Sequence, residues 1–291
     1  MKQLFLVALV CLLTAWGARA QVTTSSLTGL IKDAKGEPSI GATVRAVHTP
    51  SGTTYGVATN AEGRFTIQNM RIGGPYTVEI SYVGAQTTTR NGIVLQLDQP
   101  YVLNLSLATA DTQLQEVTVT ASNPRSILNS DRTGSVTTID RTALQRLPSI
   151  SRSLNDFTRL TPQANGSAIG GGSTRSNYFS VDGSDFNNNF GIGGNLPAGG
   201  SPISLDAIEE ISVNVTPYDV RQSGFTGAAI NAVTRAGTND FAGSAYGYFR
   251  NQSYQGDRVG DQRVIVQDQR FYQYGARLGG PIIKKQRRLF V

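Results

Sequence analysis

Few side chains in this 291-residue chain are suited to chemistry, and they are widely separated. His48 is the single histidine and Cys11 the single cysteine. A catalytic triad needs a histidine beside a nucleophile and an acid, but His48 ends an apparent strand before the Thr49-Pro50 turn, and no GxSxG nucleophile motif occurs. We therefore expect His48 to lie on the surface, and we expect no catalytic residue and no enzyme activity.

The loop from Asp182 to Asn189 (DGSDFNNN) is rich in side-chain oxygens, which are the ligands that calcium prefers. It lacks the EF-hand spacing and the closing bidentate glutamate, and Asx-rich turns form for backbone reasons alone. The glycine runs Gly170–Gly172 and Gly191–Gly194 match neither the GxGxxG nor the Walker phosphate-binding pattern. We expect a turn and flexible loops here, with calcium as the lesser alternative, and we expect no bound metal or cofactor.

The elements that must position such residues begin after residue 20. Lys2, an apolar run from Leu4 to Trp16 and the small-x-small sequence Ala18-Arg19-Ala20 predict a secretory signal peptide over residues 1–20. Cys11 falls inside it, so the mature chain is expected to have no cysteine for a disulfide, a metal or a nucleophile. The net charge of +6 is spread along the chain, apart from a short basic run at 284–288. We expect that run to be a solvated turn, and we expect no nucleic-acid binding.

Short alternating runs separated by turn signals fill residues 25–107 and predict a small β-sandwich. The predicted strands are Leu27–Lys32, Ala42–Val47, Arg64–Ile67, Tyr76–Val83 and Tyr101–Leu107. The strings GLIKDAKGEPSIGATVRAV, GVATNAEGRFTI and YTVEISYVGAQ resemble the carboxypeptidase-regulatory-like domain that precedes many Bacteroidetes outer-membrane receptors. The resemblance implies a transthyretin-like, carbohydrate-binding-like sandwich without catalysis over residues 21–107.

Mixed short helices and strands predict an α+β unit over residues 122–236. The predicted elements are a strand at Ser135–Ile139, a helix capped by Asp140 and ended by Pro148, a helix capped by Ser151 and ended by Pro162, and strands at Tyr178–Val181 and Ile208–Val215. The strings NYFSVDG and DAIEEISVNVTPYDVRQSGFTGAAINAVTRAGTN resemble the central strand and the exit segment of the plug domain of TonB-dependent receptors.

Aromatic-rich runs at Phe241–Arg250 and Phe271–Leu278 have the length of outer-membrane strands, and a third run starts near Leu289. The second run alternates, with Tyr272, Tyr274, Ala276 and Leu278 on the face that lipid would contact and Gln273, Gly275 and Arg277 on the other. A barrel of the large transporter class needs about 22 strands of about 10 residues. We therefore expect residues 237–291 to begin a transmembrane β-barrel that this sequence does not complete, and the chain to be the N-terminal part of a longer protein.

A polar connector at residues 108–121 contains a short alternating segment formed by Glu116, Val117, Thr118, Val119 and Thr120. By propensity alone this segment is an ordinary edge strand. By its position between an N-terminal extension and the plug, it resembles the TonB box, the extended segment that adds a strand to a sheet of the periplasmic protein TonB. The resemblance implies that TonB opens the plug by pulling on this segment.

The expected fold class is therefore mainly β: a transthyretin-like sandwich, an α+β plug and the first strands of a truncated barrel. The chain resembles the Oar-like TonB-dependent receptors, which implies an outer-membrane transporter with its N-terminal domain in the periplasm, in contact with TonB, with outer-membrane lipid and with an unknown ligand. The plug loops that would face the barrel lumen supply candidate ligand contacts: Asn187, Asn188, Asn189, Phe190 and Asn195. Two alternatives stay open, a surface adhesin or glycan-binding sandwich, which would lack barrel strands, and the same architecture used in protein export.

Overall fold

The computed structural model describes residues 23–109, 135–147, 149, 154–166, 168–187, 203–215, 225–254, 256–265, 267–283 and 287–290. They form three modules: the sandwich (23–109), the α+β module (135–236) and the barrel strands (237–290). The predicted mainly-β fold class is confirmed. The predicted signal peptide and the segment at 116–120 lie outside the described residues.

The sandwich packs two four-stranded sheets face to face. Its strands are β1 (Ser25–Lys32), β2 (Thr43–His48), β3 (Thr53–Ala58), β4 (Arg64–Met70), β5 (Gly73–Ser81), β6 (Thr88–Leu95), β7 (Pro100–Val102) and β8 (Leu105–Ser106). One sheet has the order β3-β2-β5-β6, and the other has the order β4-β1-β7, with β8 also paired to β1. Alternate side chains of both sheets meet in one apolar core, which includes Leu27, Val44, Phe65, Val78 and Ile80.

Two strands of the sandwich, β3 and β6, are not predicted by the sequence. No residue of β3 (TTYGVA) is fully buried, and β6 (TTRNGIVL) contains Gly92 at a φ of 77°. Both lie at the ends of their sheet, where a strand needs few apolar side chains and its hydrophobic alternation is weak. The predicted end of β5 is also wrong, since the strand stops at Ser81 and Val83 is exposed.

The α+β module is a five-stranded sheet covered by two short helices. Its elements are β9 (Val136–Asp140), α1 (Arg141–Arg146), α2 (Asn155–Thr158), β10 (Ala164–Asn165), β11 (Ala168–Ile169), β12 (Tyr178–Val181), β13 (Ser184–Asp185), β14 (Ile208–Asn214) and β15 (Ala229–Thr234). The sheet order is β13-β12-β15-β14-β9, with β12 and β15 parallel and the other neighbours antiparallel. Among the described residues, no helix is long and apolar enough to cross a membrane.

The two helices test the predicted caps. Helix α1 begins as predicted, because Asp140 Oδ1 accepts a hydrogen bond from the Ala143 amide at 2.8 Å. Helix α2 is a single turn preceded by Leu154 and has no side-chain cap, while Ser151 lies outside the described residues. The helix ends at Thr158, before the predicted end at Pro162, and Leu160 beyond it is exposed, whereas Leu154 and Phe157 are buried.

The barrel strands form an antiparallel sheet with the order β16-β19-β20. Its strands are β16 (Ala242–Asn251), β19 (Arg270–Ile283) and β20 (Arg287–Phe290), and a small hairpin of β17 (Arg258–Val259) and β18 (Gln262–Arg263) lies between β16 and β19. The predicted alternation of β19 is confirmed, since Tyr272, Tyr274 and Leu278 are 65–86% exposed while Gln273 and Arg277 are partly buried. Phe249 of β16 pairs with Tyr272 and extends the same exposed face.

Candidate functional site

The three modules meet at one junction. On the sandwich side it consists of the turn after β6, where the Leu97 amide donates to Glu210 Oε1 at 2.5 Å. Next to it, Asn231 Nδ2 donates to Asp98 Oδ2 at 3.0 Å. Ile72, Leu97 and Val233 form a small apolar cluster beside these bonds. The sandwich is therefore joined to β14 and β15, two central strands of the α+β sheet.

Glu210 is the most perturbed ionisable group of the junction. It lies on β14, between β15 and β9, with only 3% of its surface exposed. Burial raises the pKa of Glu210 to about 8, against the lowering effect of the Leu97 amide. The neighbouring carboxylates of Glu209, Asp140 and Asp98 add to the increase. Glu210 therefore changes its protonation near neutral pH, and either form can accept the bond from Leu97.

A β-bulge helps to place the two adjacent glutamates of β14. The register of β14 on β15 shifts between Ile208 and Glu210, and a bulge changes the direction of nearby side chains. Glu210 contacts the sandwich, whereas Glu209 Oε2 lies 3.4 Å from Arg235 Nε. Consecutive carboxylates are thus used in two different contacts.

A buried chain of hydrogen bonds crosses the α+β sheet toward the sandwich. Ser180 Oγ on β12 donates to Asn231 Oδ1 on β15 at 2.7 Å, and Asn231 in turn donates to Asp98. Ser180 and Asn231 are both buried. A buried network holds its members in one arrangement, because a broken bond leaves a desolvated polar group. The position of the sandwich is therefore coupled to that of β12 and β15.

The barrel strands are bonded to both other modules. Arg71 Nη1 in the sandwich donates to the Gly237 carbonyl at 3.2 Å, and the Asn239 amide donates to the Pro50 carbonyl at 3.1 Å. The hydroxyl groups of Ser204 and Tyr246 lie 2.8 Å apart, joining the α+β module to β16. Each pair of modules thus shares direct polar contacts.

A cavity of about 480 Å³ lies at this junction. The ionisable groups along its wall are four arginines, two carboxylates, one histidine and one tyrosine: Arg71, Arg141, Arg235, Arg277, Asp182, Glu209, His48 and Tyr55. Burial raises the pKa of Glu209, although Arg141 and Arg277 act to lower it. The excess of guanidinium groups makes the cavity attractive to anions.

The prediction that His48 lies on the surface is wrong, because only 4% of the residue is exposed. At the end of β2 it pairs with Tyr76 of β5, and the two ring centroids are 4.8 Å apart. His48 Nδ1 lies 2.6 Å from Ser51 Oγ in the turn that follows β2. Ser51 is fully buried and closed to a substrate, so this histidine and serine stabilise a turn.

In the described part of the loop considered for calcium, Asp182 to Asn187, both aspartates accept hydrogen bonds from the protein. Asp182, at a φ of 48°, accepts from the Thr234 amide at 2.8 Å and from the Thr234 hydroxyl at 2.6 Å. Asp185 accepts from the Asn187 amide at 2.7 Å. These bonds explain the Asx-rich composition through backbone geometry. Within the part of the chain that the structure describes, no group of three His, Cys, Asp or Glu is arranged to hold a metal.

Asn187 is the single candidate ligand contact among the described residues. Its Oδ1 accepts from the Phe179 amide at 2.6 Å, so the side chain is engaged in the β12–β13 hairpin. The other candidates, Asn188, Asn189, Phe190 and Asn195, lie outside the described residues, as do Glu116, Val117, Thr118, Val119 and Thr120. All of these remain predictions.

The junction residues Glu210, Asp98 and Arg235 were not identified from the sequence. One signal was present, since Glu210 stands in a strand, IEEISVN, whose later residues are uncharged. A charged residue at a core position of a strand indicates a specific partner. That partner, the Leu97 amide, lies 113 residues away in the chain and cannot be read from local pattern.

Two family models match the chain. Residues 26–108 match the carboxypeptidase regulatory-like domain, and residues 233–291 match an outer membrane beta barrel domain. The TonB-dependent transporter Oar of Myxococcus xanthus is 26% identical to this chain, with 92% of this chain covered. The chain therefore contains a carboxypeptidase regulatory-like domain and an outer membrane beta barrel domain, and over most of its length it is similar to a TonB-dependent transporter. It spans 26% of the length of Oar.

The match to an outer membrane beta barrel domain and the similarity to Oar locate the protein in the outer membrane. Oar itself is a transporter. Among solved structures, the siderophore receptor PirA from Acinetobacter baumannii is 23% identical to this chain, with a TM-score of 0.39. The matched region covers 52% of this chain and 23% of the PirA chain. Catechol 1,2-dioxygenase from Acinetobacter sp. ADP1 is 13% identical to this chain, with a TM-score of 0.25. The matched region covers 32% of this chain and 55% of the dioxygenase chain. Neither TM-score reaches 0.5, so the similarity of this chain to known proteins is carried by the family models and by Oar.

Proposed function

We propose that the α+β module is the plug of a TonB-dependent transporter, that the sandwich lies in the periplasm, and that TonB opens the plug by pulling on residues 116–120. The observation that carries this proposal is the junction. The chain between the sandwich and β9 contains the proposed TonB box, and the two modules that flank it are bonded to each other through Glu210 and Asn231. A pull on the connector therefore acts on both sides of one interface.

The position of β9 supports a gating mechanism. Among the described residues, strand β9 is the first element after the connector and an edge strand of the plug sheet, where it pairs with β14. An edge strand can be removed without breaking any other ladder of the sheet, and its bonds can break one after another. Its partner β14 carries Glu210, whose register partner on β9 is Asp140. Displacement of β9 would thus expose the buried carboxyl that bonds the sandwich.

The ligand contact proposed for this transporter is the loop after β13. Asn187 begins it and is tied to β12, while Asn188, Asn189, Phe190 and Asn195 complete the candidate set. Loops attached to a rigid sheet are a frequent place for ligand contacts. Because β12 pairs with β15, whose Asn231 bonds Asp98, a movement of the sandwich is coupled through the sheet to this loop.

The proposal is tested by the binding of TonB to the full-length protein. If residues 116–120 add a strand to TonB, backbone hydrogen bonds supply much of the affinity. Val117→Pro or Val119→Pro removes a donor and fixes φ, which should weaken binding of TonB's periplasmic domain by about 100-fold, the equivalent of about 3 kcal/mol. Thr118→Ser keeps the backbone and is the matched control.

Calorimetric titration of the purified full-length receptor with TonB's periplasmic domain measures this effect. Equal amounts of each variant in the outer membrane show that assembly is unchanged. Wild-type affinity in both proline variants would mean that the segment is a simple connector and would overturn the proposed coupling.

A further inference from the structure

Arg235 is a buried cation whose hydrogen-bonding capacity is largely unused. Its side chain is 4% exposed. Its Nη1 makes one long bond of 3.4 Å to the Asp206 carbonyl, and its Nε lies 3.4 Å from Glu209 Oε2. Nη2 is buried and has no hydrogen-bond partner among the residues that the structure describes. A desolvated guanidinium donor without an acceptor is costly, so an acceptor at this position would stabilise the fold.

The cavity at the junction is where such an acceptor would fit. Arg235 lines it together with Arg71 from the sandwich, Arg141 from α1 and Arg277 from β19. Of the two carboxylates on the wall, Asp182 has both oxygens engaged by Thr234, and burial makes Glu209 harder to ionise. The volume of about 480 Å³ exceeds by far the roughly 30 Å³ that one water occupies.

We propose that this junction cavity binds a small oxyanion of the phosphate or carboxylate class, with Arg235 as its buried anchor. The planar guanidinium fork matches two oxygens of such an anion and forms strong charge-assisted bonds. Because the four arginines come from all three modules, a bound anion offsets their mutual repulsion and holds the sandwich, the plug and the barrel strands together. This site goes beyond the transport function and places a soluble effector at the coupling interface.

The test uses the purified full-length receptor, with inorganic phosphate and malonate as probes and chloride at equal ionic strength as the reference. We expect a saturable rise in melting temperature and a calorimetric binding isotherm with at least one of the two probes. Arg235→Gln and Arg141→Gln should each weaken the affinity by about tenfold, the loss of one charge-assisted hydrogen bond. Arg45→Gln removes the same charge from an exposed position outside the cavity and should leave the affinity unchanged.

Arg141 is exposed, so its variant should fold even if Arg235→Gln does not. The proposal is overturned if neither probe binds saturably to the wild-type protein, or if Arg141→Gln binds the probes as well as Arg45→Gln. It is also overturned if Arg235→Gln lowers the melting temperature while the wild-type protein does not respond to either anion, because the acceptor is then a carboxylate of the same chain.

Discussion

The sandwich and the α+β module, which is the proposed plug, bury different kinds of side chain. In the sandwich the buried residues are mostly aliphatic or aromatic, with a few polar ones at turns and strand ends. The plug buries many polar groups inside its sheet and loops: Thr158, Thr161, Asn177, Ser180, Glu210, Ser212, Asn214, Asn231 and Arg235. Burial of apolar surface stabilises the first module, whereas the second also depends on hydrogen bonds that have alternatives in water.

This contrast fits the proposal that the α+β module rearranges during transport whereas the sandwich does not. A module that rearranges during transport cannot gain all its stability from a tight apolar core, because core packing resists intermediate positions. Hydrogen bonds between β12, β15 and the sandwich can be exchanged for bonds to water when the plug moves. The sandwich has no such requirement and can serve as a stable body against which the plug moves.

The largest loss of stability caused by a single substitution is expected in the sandwich core. We expect residues 21–107 to fold alone into a monomeric β-sandwich, and Ile80→Ala to lower its free energy of unfolding by about 2–5 kcal/mol, because Ile80 is fully buried. Urea denaturation followed by circular dichroism measures the difference. A fragment without a cooperative transition, or a loss below about 1 kcal/mol, would show that the sandwich depends on the plug for its stability.

A smaller effect on the free energy of unfolding, which depends on pH, is expected at Glu210. Its pKa is raised from 4.5 to about 8, so the folded protein binds a proton more tightly than the unfolded chain and loses stability as the pH rises between these two values. Glu210→Gln cannot ionise and keeps an acceptor for the Leu97 amide. The variant should match the wild-type protein at pH 5 and exceed its stability at pH 7 by roughly 2.5 kcal/mol.

Hydrogen exchange of the β14 amides in the full-length receptor, corrected for the intrinsic pH dependence, tests this expectation. Glu79→Gln, at an exposed position of the sandwich, is the control for the loss of one carboxylate. If both variants follow the wild-type pH dependence, the ionisation of Glu210 does not contribute to plug stability.

The series of hydrogen bonds through Asn231 should contribute somewhat less to the stability of the α+β module than the ionisation state of Glu210 does. Asn231→Ala removes the bonds to Ser180 and Asp98 and should destabilise the plug by about 1.5 kcal/mol. Protection of β12 and β15 amides should fall while that of β2 and β5 in the sandwich stays unchanged. An equal loss of protection in both modules would mean that they unfold as one unit, which would remove the contrast between them.

The smallest effect is expected for the ion pair of Arg45 and Glu79 on the sandwich surface. Both side chains are substantially exposed, and such pairs contribute about 0.5 kcal/mol or less. Arg45→Gln should therefore leave the urea midpoint of the sandwich nearly unchanged. A loss comparable to that of Ile80→Ala would show that surface charge, and not the apolar core, stabilises this module.

Local pattern in the sequence was sufficient for those elements whose own residues carry the signal. Strand β12 has the predicted limits, Asp140 caps α1, and the aromatic face of β19 follows from a period of two. Each depends on residues within one strand or one helical turn. The resemblance to the TonB-dependent receptors likewise came from short continuous strings.

The tertiary structure alone decided everything that depends on residues far apart in the chain. The burial of His48 requires Tyr76 of a neighbouring strand, and the raised pKa of Glu210 requires the sandwich to cover β14. The cavity around Arg235 exists because three modules contribute to its wall. Hydrophobic periodicity reports which face of an element is buried, but it carries no information on which distant element covers that face.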